Sequence, residues 1–321
     1  MTRTTSPRAQ LVSAARTLRS WTYIDRARSV DATTFLAGSG RSGTTWLQEV
    51  IDRHHDHRIM FEPFTPHRVR MMAEFQPIQY LRANETDRRF VEPVTRILEG
   101  RIHNGWIDHQ NHVRVASKRL VKDIRSNLLL AWLRTQFPSM KIIWLIRHPG
   151  AVAVSARSMG WRPHLATLLD QNDLVTDHLQ PHVNALRALD DPFDQMVAQW
   201  CIEQYVPLRN VAPGDVHLVQ YEHLVRDPAF VSEGVLASLG QRPDERLGEA
   251  LRRPSRLAGA ASAVRTGGDP VTSWRERVDA RQMDAVSALL ERFGLGALYT
   301  ADGEADPEGA ASLWSQIYGG R

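Results

Sequence analysis

The chain alternates short β-type runs with helical patterns, and this alternation constrains its fold more than any other feature of the sequence. The β-type runs are residues 33–37, 58–61, 119–122, 141–147 and 216–221. Helical patterns lie between them: Leu47, Val50 and Ile51 share one helical face, and residues 128–137 and 194–208 predict two further helices. This alternation predicts an α/β fold with a central parallel β-sheet flanked by helices on both faces.

A glycine-rich segment follows the first predicted strand, at the carboxyl edge where open parallel sheets bind their ligands. It reads Gly38-Ser-Gly-Arg-Ser-Gly-Thr-Thr-Trp46 and opens a helix. Glycines let backbone N–H groups turn inward and the helix dipole favours an anion, so the segment predicts a phosphate or sulfate site. The spacing of Gly38 and Gly43 matches the phosphate loop of nucleoside triphosphatases. However, Thr44 stands where those proteins have lysine, and the basic residue of the loop is Arg41.

A second candidate anion site follows the buried run 141–147. Arg147 ends that run, Pro149 is placed to open a helix, and Ser155 lies two turns further along it. A guanidinium and a hydroxyl are a suitable pair of donors for a dianionic phosphate. By themselves these two side chains also fit a surface arginine and an ordinary helix serine, so the site depends on the first loop lying beside it.

The basic charge of the chain is almost entirely guanidinium, since 37 of its 40 basic residues are arginine. Guanidinium suits the bidentate binding of phosphate and sulfate. The formal net charge of +4 is uneven: residues 1–30 hold six arginines against one aspartate, and the remainder is nearly neutral. A nearly neutral body disfavours a protein that coats nucleic acid, so we predict no nucleic-acid partner.

The sequence predicts a cytoplasmic protein with no transmembrane segment. A lone cysteine, Cys201, implies no oxidising compartment, and the apolar runs of the chain are too short to span a bilayer. Residues 1–30 form a basic N-terminal extension, interpreted as an amphipathic helix carrying Leu11, Ala15, Leu18 and Trp21, with a transit peptide as the alternative. Weak peripheral membrane contact through this extension, and the oligomeric state, are left open.

Together these motifs resemble those of the sulfotransferases that use 3′-phosphoadenosine 5′-phosphosulfate (PAPS). Further likenesses are Tyr221-Glu-His-Leu, which resembles a Tyr-Glu-Asp-Leu segment near the adenine, and Arg265-Thr-Gly-Gly with Trp274, which resembles a segment that closes over the cofactor. The cofactor-binding residues that the resemblance implies are Gly40, Arg41, Ser42, Gly43, Thr44, Thr45, Trp46, Arg147, Ser155, Tyr221, Arg265 and Gly267. The implied fold is the P-loop nucleotide-kinase-like sulfotransferase fold, with its catalytic domain over residues 31–300 and a loose tail over 301–321 anchored by Trp314.

The resemblance also implies catalytic roles for Arg41, Glu62 and Lys122. Phe61-Glu-Pro-Phe64 is similar to a segment of the carbohydrate branch, in which a glutamate acts as the base, whereas Ile124 stands where the aryl and steroid branch has its histidine base. Arg41 and Lys122 would neutralise the leaving phosphate, and Glu62, with its pKa raised in a cleft, would accept the proton of the acceptor. The runner-up bases are His103, His109 and His112.

We therefore predict transfer of a sulfuryl group to a hydroxyl, or with less support an amine, of a carbohydrate, glycolipid or small-molecule acceptor, and no metal. The histidines within residues 52–57 do not share a helical face, as ligands of one ion would have to. The lid over the acceptor is expected within residues 161–200. The alternatives are a nucleoside or small-molecule kinase, which would need a magnesium-binding carboxylate at a neighbouring strand end, and a non-enzymatic nucleotide-binding protein.

Overall fold

The computed structural model describes residues 7–257 and 263–320, and its architecture confirms the predicted α/β fold. The strands are β1 (Ile24–Asp25), β2 (Thr33–Gly38), β3 (Arg58–Phe61), β4 (Val115–Ala116), β5 (Arg119–Asp123), β6 (Lys141–Ile146) and β7 (His217–Gln220). The α-helices are α1 (Pro7–Ser20), α2 (Thr44–Ile51), α3 (Arg88–Leu98), α4 (Leu130–Gln136), α5 (Pro149–Ser158), α6 (Leu165–Leu169), α7 (Asn172–Leu174), α8 (Val183–Arg187), α9 (Pro192–Asn210), α10 (Tyr221–Arg226), α11 (Pro228–Ser238), α12 (Glu245–Arg252), α13 (Ala263–Thr266), α14 (Ala280–Arg292) and α15 (Pro307–Gly319). All five predicted β-type runs form strands, with ends within one residue of those expected.

The main sheet has five strands in the order β3-β5-β2-β6-β7, and every neighbouring pair in it is parallel. Strand β2 lies at the centre, so the glycine-rich loop that follows it leaves the middle of the sheet. The register places Phe61 of β3 beside Lys122 of β5, and Ile146 of β6 beside Gln220 of β7. The residues after these strands, among them Glu62, Arg147 and Tyr221, therefore meet at one edge.

Helices cover both faces of the sheet, which is why most residues of its strands are buried, including polar ones such as Arg58 and Arg119. On β2, Phe35 and Ala37 face one core, and Leu36 faces the other. All three are fully buried. Truncating either large side chain to alanine would cost about 2–5 kcal/mol, because a packed interior cannot fully close the space left behind. The sheet is thus a rigid base for the loops at its edge.

The terminal segments differ in how closely they match the sequence-based expectations. The N-terminal helix forms as α1, but Leu18 and Trp21 at its end stay exposed. The expectation of a loose tail is wrong for most of residues 301–321, because α15 forms there. The expected anchor, Trp314, does pack edge-on against Trp144 with ring centroids 6.0 Å apart. No helix in the described ranges has the length and apolar character needed to cross a membrane.

Candidate active site

A cavity of about 340 Å³ lies at the carboxyl edge of the main sheet, and we call it the strand-end cavity. Each of the five strands contributes to its wall, either from its last residues or from the segment that follows. The residues so placed are Arg41 after β2, Glu62 after β3, Lys122 at the end of β5, Arg147 after β6 and Tyr221 after β7. All five were predicted from the sequence as site residues, and the sheet brings them together.

The glycine-rich loop turns sharply between β2 and α2. Arg41 has φ 73° and Gly43 has φ 97°, so two residues adopt the left-handed conformation. Gly43 is also close to the Tyr221 ring: a Cβ atom at this position would lie 2.6 Å from that ring. Thr44 and Thr45, in the first turn of α2, line the strand-end cavity. The backbone N–H groups of that turn lack intrahelical acceptors, as at every helix start, and can receive an anion.

Buried side chains brace the loop from behind. Ser39 Oγ donates a short hydrogen bond to Glu203 of α9 and accepts one from Gln204 Nε2 at 3.0 Å. Ser42 is fully buried, and its Oγ donates to the carbonyl of Ser39 at 2.7 Å. Because it is buried, Ser42 supports the loop from inside rather than lining the strand-end cavity.

Glu203 is buried as well, and its burial raises the pKa of its carboxyl to about 7. This buried carboxyl makes the stability of the fold depend on pH. The pKa of Glu203 is higher in the folded than in the unfolded chain, so the folded chain binds this proton more tightly. The free energy of unfolding therefore falls as pH rises from the ordinary glutamate pKa to about 7. We expect Glu203→Gln to remove this loss, so that between about pH 5 and pH 8 the variant gains roughly 2–3 kcal/mol relative to wild type. Urea unfolding at both pH values measures it. Glu233→Gln on the exposed face of α11 is the control; equal pH slopes for wild type and Glu203→Gln would contradict the prediction.

Two arginines meet at the strand-end cavity without a neutralising carboxylate. Arg147 donates to the carbonyl of Arg41 at 3.2 Å, and Arg41 Nε donates to Ser155 Oγ at 3.0 Å. Among the described residues, neither guanidinium has a carboxylate within 4.0 Å. Burial and, to a smaller extent, repulsion from the charge of Arg147 lower the pKa of Arg41. Arg41 therefore lies between Arg147 and Ser155 and is bonded to both, and the binding of an anion by Arg147 with Ser155 stays a prediction.

Aromatic rings form the wall beside this pair. The Arg147 guanidinium lies 4.2 Å from the centroid of the Tyr221 ring, and Trp46 packs edge-on against the same ring at 5.9 Å. Trp161 and Trp274 also line the strand-end cavity. A flat ring entering here would meet aromatic faces and edges, which pair favourably with one another.

Glu62 lies in a buried ion-pair network. Its Oε1 accepts from Lys122 Nζ at 2.7 Å and its Oε2 accepts from Arg125 at 3.0 Å. The Glu62 backbone has φ 44°, and its N–H donates to the carbonyl of Lys122 at 2.7 Å, which aims the side chain at the two cations. Lys122 Nζ also lies 4.2 Å from the centroid of the Phe61 ring.

The expectation of a raised pKa for Glu62 is wrong. Burial by itself would raise the pKa, but the charges and hydrogen bonds of Lys122 and Arg125 outweigh it and hold the pKa of Glu62 below its ordinary value. Burial also lowers the pKa of Lys122. Glu62 does not depend on Lys122 alone, because Arg125 is a second cation bound to the same carboxylate. Glu62 is therefore ionised at neutral pH and stabilised as the anion.

Some predicted residues do not line the strand-end cavity in this structure. Arg265 is exposed on α13, and Gly267 has φ 78° with open space around its Cα. From the same segment, Pro270, Ser273, Trp274 and Arg277 line the cavity instead. Gly40 faces a neighbouring cavity. The cofactor-binding roles of Arg265 and Gly267 stay predictions.

The histidines considered as alternative bases are spread over different surroundings. His109 packs edge-on against Phe61 at 4.7 Å, and burial lowers its pKa. His103 is bonded to the carbonyl of Ser20 at 2.8 Å, and His112 packs against His55. None of the three lines the strand-end cavity as described.

The polar cluster after α2 closes the end of that helix. Ligand atoms of Asp52, Asp56 and His57 lie within 4.8 Å of one another, a separation compatible with a bound ion. Asp52 Oδ1, however, already accepts from the backbone N–H groups of Asp56 and His57 at 3.1 and 3.0 Å. The cluster lies outside the strand-end cavity and has a structural role as a turn.

Sequence reasoning missed two side chains that shape the site. Arg125 fixes Glu62, and the available signal was its place two residues beyond the end of β5. Glu203 braces the anion loop from α9, a position remote in sequence. No sequence signal pointed to Glu203, since a glutamate within a helix is ordinarily exposed.

Comparison with known proteins agrees with this geometry. A family model for the sulfotransferase family matches residues 34–245, which is more than half of the chain. No curated protein sequence matches the chain. Among solved structures it is similar to several sulfotransferases.

The sulfotransferase domain from the curacin biosynthetic pathway is 15% identical, with a TM-score of 0.45 over 81% of this chain and 96% of that one. The sulfotransferase STF9 from Mycobacterium avium is 14% identical, with a TM-score of 0.44 over 89% and 80%. Mouse sulfotransferase SULT7A1, complexed with PAP, is 17% identical, with a TM-score of 0.41 over 95% and 94%. From the extent of the family-model match, the chain belongs to the sulfotransferase family.

Proposed function

We propose that this chain transfers a sulfuryl group from PAPS to a hydroxyl of a carbohydrate, glycolipid or small-molecule acceptor. The observation that carries the proposal is the meeting of Arg41 and Arg147 at the glycine-rich loop without a neutralising carboxylate. Buried or half-buried cations are costly unless they are paired. A dianionic ligand would supply the missing partner.

The donors around the strand-end cavity fit a nucleotide that carries anionic groups at two positions. Its basic lining residues are Arg41, Lys122, Arg147, Arg252, Arg253 and Arg277, and Glu62 is the only carboxylate among the described lining residues. Arg41 and the first turn of α2 would hold one anionic group, and Arg147 with Ser155 would hold the other. Tyr221 and Trp46 offer a wall for the base.

The residues present supply what sulfuryl transfer needs. PAPS brings the sulfuryl group, whose bond to the 5′-phosphate oxygen breaks as a new bond forms from sulfur to the acceptor oxygen. Glu62 accepts the proton of the acceptor hydroxyl, and Lys122 and Arg125 hold its carboxylate in place. Arg41 and the loop N–H groups stabilise the negative charge that develops on the departing phosphate. The products are a sulfate ester and adenosine 3′,5′-bisphosphate.

Two residues that a kinase would need at this loop are absent from the described site, a loop lysine and a magnesium-binding carboxylate. Thr44 occupies the position where the phosphate loop of a kinase has lysine. Of the carboxylates near the strand ends, Glu62 follows β3, which does not neighbour β2, and Asp123 at the end of β5 is fully buried and does not line the described cavity wall. We therefore propose a reaction that needs no metal.

Two finer expectations stay part of this proposal. The carbohydrate-type branch rests on Phe61-Glu-Pro-Phe64, on Arg41 in the loop and on Ile124 in place of a histidine, and a cytoplasmic location rests on the lone cysteine and the short apolar runs. Cys201 is fully buried, and burial places the pKa of its thiol far above the ordinary value, so it is an inert core residue.

Ligand stabilisation tests the donor site. We expect adenosine 3′,5′-bisphosphate to raise the melting temperature in the presence of EDTA, because a ligand at a hundredfold its Kd stabilises the native state by about 2.7 kcal/mol. Arg147→Ala should remove most of that shift, because it deletes a guanidinium that we propose to pair with a phosphate of the ligand and that has no carboxylate partner in the described structure. Arg292→Ala, at the exposed end of α14, is the control with the same substitution. Protection by magnesium–ATP alone would favour the kinase and refute the proposal, and binding without any transfer would favour a non-enzymatic nucleotide-binding protein.

A further inference from the structure

A second cavity of about 330 Å³ lies on the other side of the glycine-rich loop, and we call it the Trp200 cavity. Its volume is in the range of pockets that hold small organic ligands. Ile124 and Trp161 line both this cavity and the strand-end cavity. Arg125 also lines it and contacts Glu62 at 3.0 Å. The Trp200 cavity is therefore placed to hold an acceptor whose reacting end reaches the anion loop.

Two polar side chains on the floor of the Trp200 cavity, Glu203 and Gln199, are already bonded to their neighbours. Glu203 accepts from Ser39 Oγ with one oxygen and from Gln199 Nε2 with the other, the latter at 2.7 Å. The Gln199 carbonyl in turn accepts from the backbone N–H of His164 at 2.8 Å. These two side chains therefore have little hydrogen-bonding capacity left for a ligand. The buried indole N–H of Trp200 has no acceptor among the described residues and offers one donor, which suits a single hydroxyl better than a many-hydroxyl molecule.

The rest of the wall is largely apolar. Ile78, Val152, Ala156, Met196 and Trp200 line it, and each is less than one tenth exposed. Of the other polar lining residues, Arg125 is bound to Glu62 and Thr65, and Arg162 and His164 are exposed at the surface. Burying a sugar hydroxyl here without a partner would cost about 1–3 kcal/mol for each group.

We propose that the Trp200 cavity is the acceptor site and that it takes a largely apolar alcohol or phenol rather than a sugar. This inference rests on the proposed sulfuryl transfer and narrows its substrate class. The acceptor oxygen forms the new bond to sulfur, the bond from sulfur to the 5′-phosphate oxygen breaks, and the hydroxyl proton goes to Glu62. The apolar body of the acceptor stays between Met196 and Trp161, where contact with water is lost.

The test compares apolar and sugar probes on the full chain. 2-Naphthol and octanol are the apolar probes, N-acetylglucosamine and cellobiose the sugar probes, with PAPS as donor and mass spectrometry of the sulfate esters as readout. Equilibrium dialysis of 2-naphthol, with adenosine 3′,5′-bisphosphate present, measures binding without turnover. We expect 2-naphthol to bind and to be sulfated, and the sugars to do neither.

Met196→Gln makes the wall polar at nearly constant volume, and Met159→Gln is its matched control because Met159 is exposed and lines neither cavity. We expect Met196→Gln to raise the Kd of 2-naphthol about tenfold, because changing one small group in an apolar pocket alters binding by about that factor. Its affinity for adenosine 3′,5′-bisphosphate should stay that of wild type, which also shows that the variant is folded.

The outcomes separate the acceptor class from the reaction itself. Sulfation of the sugars, or failure of the apolar probes to bind while the bisphosphate still binds, overturns the apolar acceptor and leaves sulfuryl transfer intact. Unchanged 2-naphthol affinity in Met196→Gln overturns the assignment of this cavity. Failure of wild type to bind the bisphosphate at all overturns both proposals.

Discussion

Replacing Glu62 by glutamine is expected to lower turnover by about 10²–10⁴-fold, the usual contribution of a general base. Glutamine has nearly the same shape but cannot take a proton from the acceptor hydroxyl. Affinity for adenosine 3′,5′-bisphosphate should not fall, because the substitution removes a negative charge from the wall of the cavity that we propose to bind this anion. Steady-state transfer rates and bisphosphate binding, measured on the same preparation, give the two quantities.

The pH profile gives a second readout for Glu62. Its pKa is held below the ordinary glutamate value, so the base is ionised throughout the neutral range. We therefore expect the acid limb of wild-type turnover to lie below the ordinary glutamate pKa rather than near neutrality. An acid limb that survives in Glu62→Gln would instead assign the base to a histidine, and His109 beside Phe61 would be the first to test.

Loss of fold must be separated from loss of chemistry in this variant. Removing one partner of a buried ion pair costs about 3–5 kcal/mol, since the other charge stays buried. Lys122 has Glu62 as its ion-pair partner in the described structure. Urea unfolding of Glu62→Gln and of Glu62→Asp, which keeps the charge, measures that cost. Wild-type turnover in a folded Glu62→Gln would exclude Glu62 as the base.

Arg41→Ala is expected to lower kcat/KM by about 10²–10³-fold, the range for removing one donor from a preorganised anion site. Its guanidinium has no carboxylate partner among the described residues, so its charge is available to the departing phosphate. Arg41→Lys should recover part of the loss, because lysine keeps the charge but not the planar, multiply bonded geometry.

The backbone of Arg41 provides a control within the same position. At φ 73° an alanine is strained whereas a glycine is not. Arg41→Gly therefore removes the side chain without adding strain, and we expect its kcat/KM to be as low as that of Arg41→Ala, with a higher melting temperature. If Arg41→Gly restored activity, the loss in Arg41→Ala would come from backbone strain rather than from the missing charge.

The elements that the sequence predicts best are those whose signal is local. The strand 141–147 is recognisable because a run of apolar residues is bounded by Lys141 and Arg147, and β6 forms with an end one residue earlier. The anion loop is recognisable because glycines, Arg41 and two threonines fall together after a strand. Both signals lie within a few residues, so no tertiary contact is needed to find them.

What the sequence does not predict depends on contacts between distant residues. The expected rise in the pKa of Glu62 fails because Arg125 comes within 3.0 Å of it, a pairing that spans 63 residues. The expectation of a loose chain over residues 301–321 rests on their glycine and alanine content, and it fails because α15 forms there. The signals for α15 were present in Asp306 as N-cap and Pro307 at the first helical position, but Trp314 needed the core around Trp144 to hold it.

The five strand ends that wall the strand-end cavity also tie ligand binding to the whole of the sheet. No hairpin or other local fragment contains the site, since its parts come from residues as distant as Arg41 and Tyr221. A ligand held there would slow hydrogen exchange of backbone amides in all five strands together, because it binds the folded sheet and so raises the free energy of every opening that separates the strand ends. Amide exchange of the bound chain would thus report the cooperativity of the fold, and not merely occupancy of a pocket.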